Sequence, residues 1–109
     1  MYQVIFMQNY NKTMMNTKIS SYINFSVKAG KVIWGLDMLK TSKVKPYLII
    51  YDKTIGQSSK KQLLKYKEDN LVKTLEVEEN YLNDILKRSN VKVIGLIDES
   101  LSNAIIKLI

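Results

Sequence analysis

PYLIIYDKTIGQSSKKQLLKYKEDNLVKTLEV, residues 46–77, decides the fold. Pro46 opens YLIIY, a continuous apolar run too short for a helix and rich in branched and aromatic residues, which reads as a buried strand. Thr54-Ile55-Gly56 is a turn. A helix follows, with Ser59 and Gln62 at capping-box spacing and Leu63, Leu64 and Tyr66 behind them. Leu71–Val77 reads as the next strand, with Leu71, Lys73, Leu75 and Val77 on one face. Strand, helix, strand in so few residues is the repeating unit of an α/β domain.

The same alternation extends outward in both directions. Lys18–Lys28 reads as a first helix, with Ile19, Tyr22, Ile23 and Val27 at helical spacing and Ala29-Gly30 ending it. Lys31–Trp34 is a short strand stopped by Gly35, and Leu36 to about Ser42 a brief helix. Downstream, Glu79–Arg88 reads as a helix burying Leu82, Ile85 and Leu86. VKVIGLI (91–97) is the last strand. Asp98 or Ser100 caps a final helix whose Leu101, Ala104, Ile105, Leu108 and Ile109 form one stripe. Helices should therefore cover both faces of a small sheet, in one domain, since no linker, repeat or low-complexity tract divides the chain.

Composition narrows the function. There is no histidine and no cysteine in the 109 residues. The commonest general base, thiolate nucleophiles, disulfides and nearly all structural zinc sites go with them. Glu68/Asp69, Glu78/Glu79 and Asp98/Glu99 are paired carboxylates at inferred helix ends, where solvated or capping roles prevail. Gly56-Gln57-Ser58-Ser59-Lys60-Lys61 lacks the phosphate-loop pattern. The expectation is a protein that is not an enzyme and holds no cofactor or metal. No apolar run approaches the roughly 18 residues of a membrane span, and no basic segment precedes a long apolar one at the N-terminus. A cytoplasmic protein without membrane contact, monomeric when free, is expected.

Charge points to a polyanion. Residues 1–67 carry twelve lysines against Asp37 and Asp52, a net +10, and residues 68–109 carry five bases against eight acids, a net −3, together the +7 of the chain. The asymmetry reads either as one basic face that tracks phosphates or as the lysine-rich coding of an AT-rich genome. The helix after Gly56 is also inverted, with Lys60 and Lys61 at its start and Glu68 and Asp69 at its end. Dipole preference favours the opposite order by about 0.3–1 kcal/mol per group. It reads either as an anion site or as a solvated face tolerating a small cost.

From Met15 onward the chain resembles the YlxQ-like bacterial branch of the kink-turn-binding ribosomal protein family, the L-seven-Ae/L-thirty-e type. KAGKVIWG (28–35) is similar to that branch's rAGK-x-x-x-G signature, and YLIIYDKTIGQSSKK (47–61) to its strand-turn-helix segment. EENYLNDILKRSNVKVIGLIDESLSNAIIKLI (78–109) is similar to its ending. The resemblance implies a three-layer α/β/α sandwich with a mixed four-stranded sheet, and structured RNA, in particular ribosomal RNA on the ribosome, as partner.

By position, the family's RNA-reading loop is Gly35-Leu36-Asp37-Met38, with Asp37 where asparagine is usual and Met38 where glutamate is usual. The chain between Gly35 and YLIIY is about four residues shorter than the family pattern, about one helical turn, so phosphate contacts fall to Lys40, Lys43 and Lys45. Lys31, the first residue of the strand that leads into the loop, is expected to contact RNA as well. Trp34 either stacks on an unpaired base, worth roughly 1–3 kcal/mol, or packs beneath the first helix. Lys87, Arg88, Ser89 and Asn90 correspond to the family's second contact region, and Asn83 and Lys87 replace two of its glycines. YlxQ-like chains begin just before the first helix, so residues 1–14 are expected to be an upstream extension.

Overall fold

The apolar run at the centre of the chain becomes the middle of a sheet. The computed structural model describes residues 9–109, with side chains from residue 16 onward. The elements run α1 (Asn9–Lys28), β1 (Val32–Trp34), α2 (Leu36–Thr41), β2 (Leu48–Asp52), α3 (Gln57–Asn70), β3 (Lys73–Val77), α4 (Tyr81–Leu86), β4 (Val93–Leu96) and α5 (Glu99–Ile106). The strands lie in the order β1-β4-β2-β3. β4 is antiparallel to both β1 and β2, while β3 runs parallel to β2. The sheet is mixed and four-stranded, with helices on both faces, as the fold reading requires.

Every residue of β2 and of β4 is buried. This follows from their central places: successive side chains point to opposite faces, and both faces are covered. Leu48 and Ile50 join Ile94, Leu96, Leu75 and Val77 beneath α1, α4 and α5, which contribute Ile19, Ile23, Leu82, Leu86 and Ile105. Ile49 and Tyr51 join Ile33 and Val93 on the other face, beneath α2 and α3, which contribute Leu39 and Leu63. Gly95 sits where α2 crosses the sheet. A Cβ there would lie 2.7 Å from Leu39 Cδ2 and 3.2 Å from Pro46 Cβ, so only glycine lets the short helix close down.

α1 ends as the Ala29-Gly30 pair implies. Gly30 takes φ 69°, its N–H donates to Val27 O at 3.0 Å, and Lys31 N–H donates to Ser26 O at 2.9 Å, the paired bonds of a Schellman closure. The helix starts earlier than the spacing predicts, at Asn9 rather than Lys18. Of the expected extension, residues 9–14 are therefore helical, and residues 1–8 lie outside the described residues.

Four local expectations change. α3 starts at Gln57 behind Gly56 with no side-chain cap, so Ser59 and Gln62 form no capping box; Gln62 Nε2 donates instead to Ser58 Oγ at 3.3 Å. Leu71 is not in β3: it closes α3 in the left-handed conformation, φ 54°, and is 91% exposed. The strand then begins at Lys73, with Leu75 and Val77 as its buried pair. α4 is shortened to Tyr81–Leu86, with Asn80 and Lys87 in the left-handed conformation at its two ends. In α5, Asp98 is the cap, its Oδ1 accepting from Leu101 N–H at 2.8 Å. Of the predicted stripe, Ile105 is buried and Leu108 and Ile109 pack against the core, while Ser102 joins the buried face unexpectedly.

Candidate nucleic-acid interface

Three loops meet at one end of the sheet: the turn from β1 into α2, the turn from β2 into α3, and the segment between α4 and β4. β1 and β2 run toward this end and β4 runs away from it, so the antiparallel pairings place Trp34, Asp52 and Val93 together. Gly35 N–H donates to Val93 O at 2.9 Å, and Asp52 N–H donates to Lys92 O at 2.8 Å. A cleft of about 280 Å³ opens between the loops, lined by Gly35, Leu36, Thr54, Ile55, Gly56, Ser59, Asn90, Lys92 and Val93.

Gly35 holds φ 88° and ψ 159°, a region essentially confined to glycine. Its carbonyl accepts from Leu39 N–H at 3.1 Å, so one glycine turns the strand straight into the helix. Asp37 and Met38 are then exposed on the first turn of α2, and Leu36 is half-buried against the α2–α3 side of the core.

The turn after β2 is organised by Asp52, a fully buried carboxylate. Its Oδ1 accepts from Thr54 N–H at 2.8 Å and from the Thr54 hydroxyl, and its Oδ2 accepts from Asn80 N–H at 2.9 Å. Lys92 Nζ lies 3.9 Å from Oδ2 and donates to Thr54 Oγ1 at 2.9 Å. Burial pushes this carboxyl upward, but the hydrogen bonds from Thr54 and Asn80, with the Lys92 charge, outweigh it and hold the group below the ordinary carboxylate value. Asp52 thus stays charged, fixes the 52–55 turn and anchors Lys92 at the cleft.

The segment between α4 and β4 is held by Asn83, whose Oδ1 accepts from Val91 N–H at 2.9 Å. Lys87 and Asn90 both have positive φ, 54° and 62°. Lys87 thus holds, at some cost, a backbone state that glycine adopts freely. The Arg88 guanidinium lies over the Trp34 ring, 4.2 Å from its centroid. Trp34 is half-buried and packs against the core on the face of the sheet that α1, α4 and α5 cover. A base stacking on the Arg88 side would have to displace that cation.

The residues expected to contact RNA therefore divide. Trp34, Gly35, Leu36, Asp37, Met38, Arg88 and Asn90 gather at the loop end, with Lys87 exposed beside them. Lys31 does not join them, because it stands before β1 at the opposite end of the sheet, about 10 Å away at 3.3 Å per residue. Lys40 and Lys43 point into a separate groove between α2 and α3. Lys61 is exposed on the first turns of α3. Lys60 stands 3.6 Å from Glu76, so its charge is partly answered within the protein rather than offered to an anion.

Sequence reasoning missed Asp52, Thr54 and Lys92. The signal was present: an acid ending an all-apolar strand, followed two residues later by threonine, is the pattern of an Asx-turn.

The basic face is also more local than the two-halves count implied. The α2–α3 layer, residues 36–46 and 57–70, holds Lys40, Lys43, Lys45, Lys60, Lys61, Lys65 and Lys67 against Asp37, Glu68 and Asp69, a net +4. Residues 9–28, 78–90 and 98–109, carrying α1, α4 and α5, hold Lys12, Lys18, Lys28, Lys87, Arg88 and Lys107 against Glu78, Glu79, Asp84, Asp98 and Glu99, a net +1. Among the described residues, no helix is long and apolar enough to cross a membrane.

No family model matches the chain, and no curated protein does. Among solved structures, the chain is similar to a protein with unknown function from Bacillus halodurans C. The TM-score is 0.76 and the identity 19%, over 83% of this chain and 94% of that one. The likeness is one of fold.

Proposed function

We propose that the protein is a ribosome-associated RNA-binding protein that recognises structured, kink-turn-like RNA with the loop end of its sheet. One observation carries the reading. The two segments that the family resemblance marks as RNA contacts, 34–38 and 87–90, are distant in sequence yet joined at one end of the sheet by the Arg88–Trp34 contact, with Gly35 bonded to the start of β4 just beyond the second segment. Lys92, tied to Thr54, adds a cation at the cleft between them. A-form major grooves resist side chains, so a protruding loop pair that enters an irregular stem is a fitting shape for such RNA.

The test is binding of a kink-turn stem against the same stem with its sheared pairs made Watson–Crick, each over a salt series. Kink-turn preference with a steep salt slope is the expected result. Equal affinity for both stems would remove the kink-turn part of the reading, and no RNA affinity at all would remove the whole.

A second reading has its own observation. Met38, where the family carries glutamate, is 59% exposed beside Asp37 at the tip of the contact loop, which suits a protein partner better than a phosphate backbone. On that reading the protein is a translation-related assembly factor. It would then co-sediment with ribosomes through high salt while showing no affinity for free RNA.

A further inference from the structure

The groove between α2 and α3 is a second feature of the basic layer, set apart from the loop end. α2 has six residues and α3 has fourteen. At 1.5 Å per residue the shorter helix spans about 9 Å and the longer about 21 Å. α2 therefore covers only part of α3, and the chain returns to β2 through Ser42–Pro46. The uncovered length forms a cavity of about 550 Å³, within the range of sites for small ligands.

Its lining has a consistent chemistry. Lys40, Lys43, Lys45 and Lys65 surround it with Asp69 as the one acid, while Leu39 lies buried at its floor and Tyr66, half-buried against the core, gives it an aromatic part. Lys65 is paired with Asp69 at 3.1 Å, and Lys40 donates to Gln62 Oε1. Among the described residues, Lys43 and Lys45 have no ion pair. Two exposed lysines two residues apart, beside an aromatic ring, match the phosphates and base of an extended nucleotide strand. An acidic peptide would answer the lysines and leave the ring without a flat partner.

We propose that the α2–α3 groove binds single-stranded RNA, with a base against Tyr66 and neighbouring phosphates on Lys43 and Lys45. The proposal rests on the RNA-binding reading and adds where a flank of the structured RNA runs. Base selectivity is weak at this site, because the Gln62 amide is held by Lys40 and Ser58 and the Asn70 amide by Tyr66 O.

The experiment is fluorescence anisotropy of the full chain with a labelled ten-nucleotide oligouridine, over a salt series. Each lost phosphate contact on a single strand lowers the salt slope by about 0.7, or about fivefold in affinity at 0.1 M salt. The Lys43→Ala/Lys45→Ala variant is expected to bind the oligomer about 20-fold more weakly, with a slope lower by about 1.4. Tyr66→Leu should weaken binding without changing the slope, and melting by circular dichroism checks that each variant is folded. Oligoadenosine should bind within severalfold of oligouridine.

An oligomer affinity unaffected by the lysine pair overturns the groove. If Lys87→Glu/Arg88→Glu still weakens the kink-turn stem in that case, the loop-end reading stands alone. A wild-type protein that binds neither RNA overturns both. Polyglutamate that competes as strongly as the oligomer overturns the assignment to nucleic acid.

Discussion

Leu71 closes α3 at φ 54° with its side chain 91% exposed, so it carries the cost of a left-handed backbone without burying anything in return. That conformation costs a branched residue about 1–2 kcal/mol, and glycine's own entropy returns about 0.5–1 kcal/mol of it. Leu71→Gly should therefore raise stability by about 0.5–1 kcal/mol, measured as a higher urea midpoint at unchanged slope. Asp52 is the opposite case, a residue whose burial depends on its partners. Asp52→Asn places an amide where three donors converge, and should cost about 2–3 kcal/mol in the same measurement. The pH dependence has a definite sign. The folded carboxyl lies below its ordinary value of 3.8, so the stability it contributes is fully present above that value and is lost as pH falls through the lower folded value. The wild type should weaken in that acidic window, and Asp52→Asn should lack this part of the acid limb. Both residues show how far local pattern reaches. Leu71 continues an apolar alternation and would be taken for strand, because the end of α3 is set by Lys67 O accepting the Val72 N–H at 3.1 Å, a closure no periodicity encodes.

Among the elements, α2 is the one whose position depends on a missing atom. Gly95→Ala places a methyl 2.7 Å from Leu39 Cδ2 and 3.2 Å from Pro46 Cβ, and overpacking of this kind costs about 1–3 kcal/mol. Leu39 is itself fully buried, and truncation of such a side chain to alanine costs about 2–5 kcal/mol. The two changes should be less than additive, because Leu39→Ala removes the atom that the new methyl meets. A double-mutant cycle with no coupling would show that Pro46 or the backbone, and not Leu39, takes the strain. α5 is simpler. Its cap is a single bond from Leu101 N–H to Asp98, and Asp98→Ala should lower the melting temperature in line with a loss of about 1 kcal/mol. The element order was legible along the chain because each run changes its hydrophobic period, and β2, α3 and α5 fall close to their predicted spans. The ends were less so. Glu79 through Arg88 reads as one helix, yet only Tyr81–Leu86 coils, since Asp52 captures the Asn80 N–H from another strand and Arg88 leaves to meet Trp34.

At the scale of the whole molecule, the net charge of +7 says less than its division between layers. If the loop end carries RNA, reversing Lys87 and Arg88 should lower affinity for a kink-turn stem and flatten its salt slope. Reversing Lys107, just past the end of α5, should change neither beyond the small effect of net charge. Equal losses from the two changes would mean that bulk charge, and no particular face, draws the RNA. The segments 34–38 and 87–90 could be singled out in the sequence through resemblance, but their contact could not, because it depends on β4 pairing antiparallel with β1 across some sixty residues of chain.

The sequence by itself determined the alternation of strands and helices, the buried strands at the centre and the absence of histidine and cysteine chemistry, since these depend on hydrophobic period and residue type alone. Only the tertiary structure decided that Lys31 leaves the loop end, that Lys60 answers Glu76 and that a short α2 exposes a lysine-lined groove along α3. Those depend on strand direction and on how much of one helix another can cover. For PYLIIYDKTIGQSSKK the two levels divide at Asp52: the residues before it announce a buried strand, and the carboxylate gains its role only once Asn80 and Lys92 arrive from elsewhere in the chain.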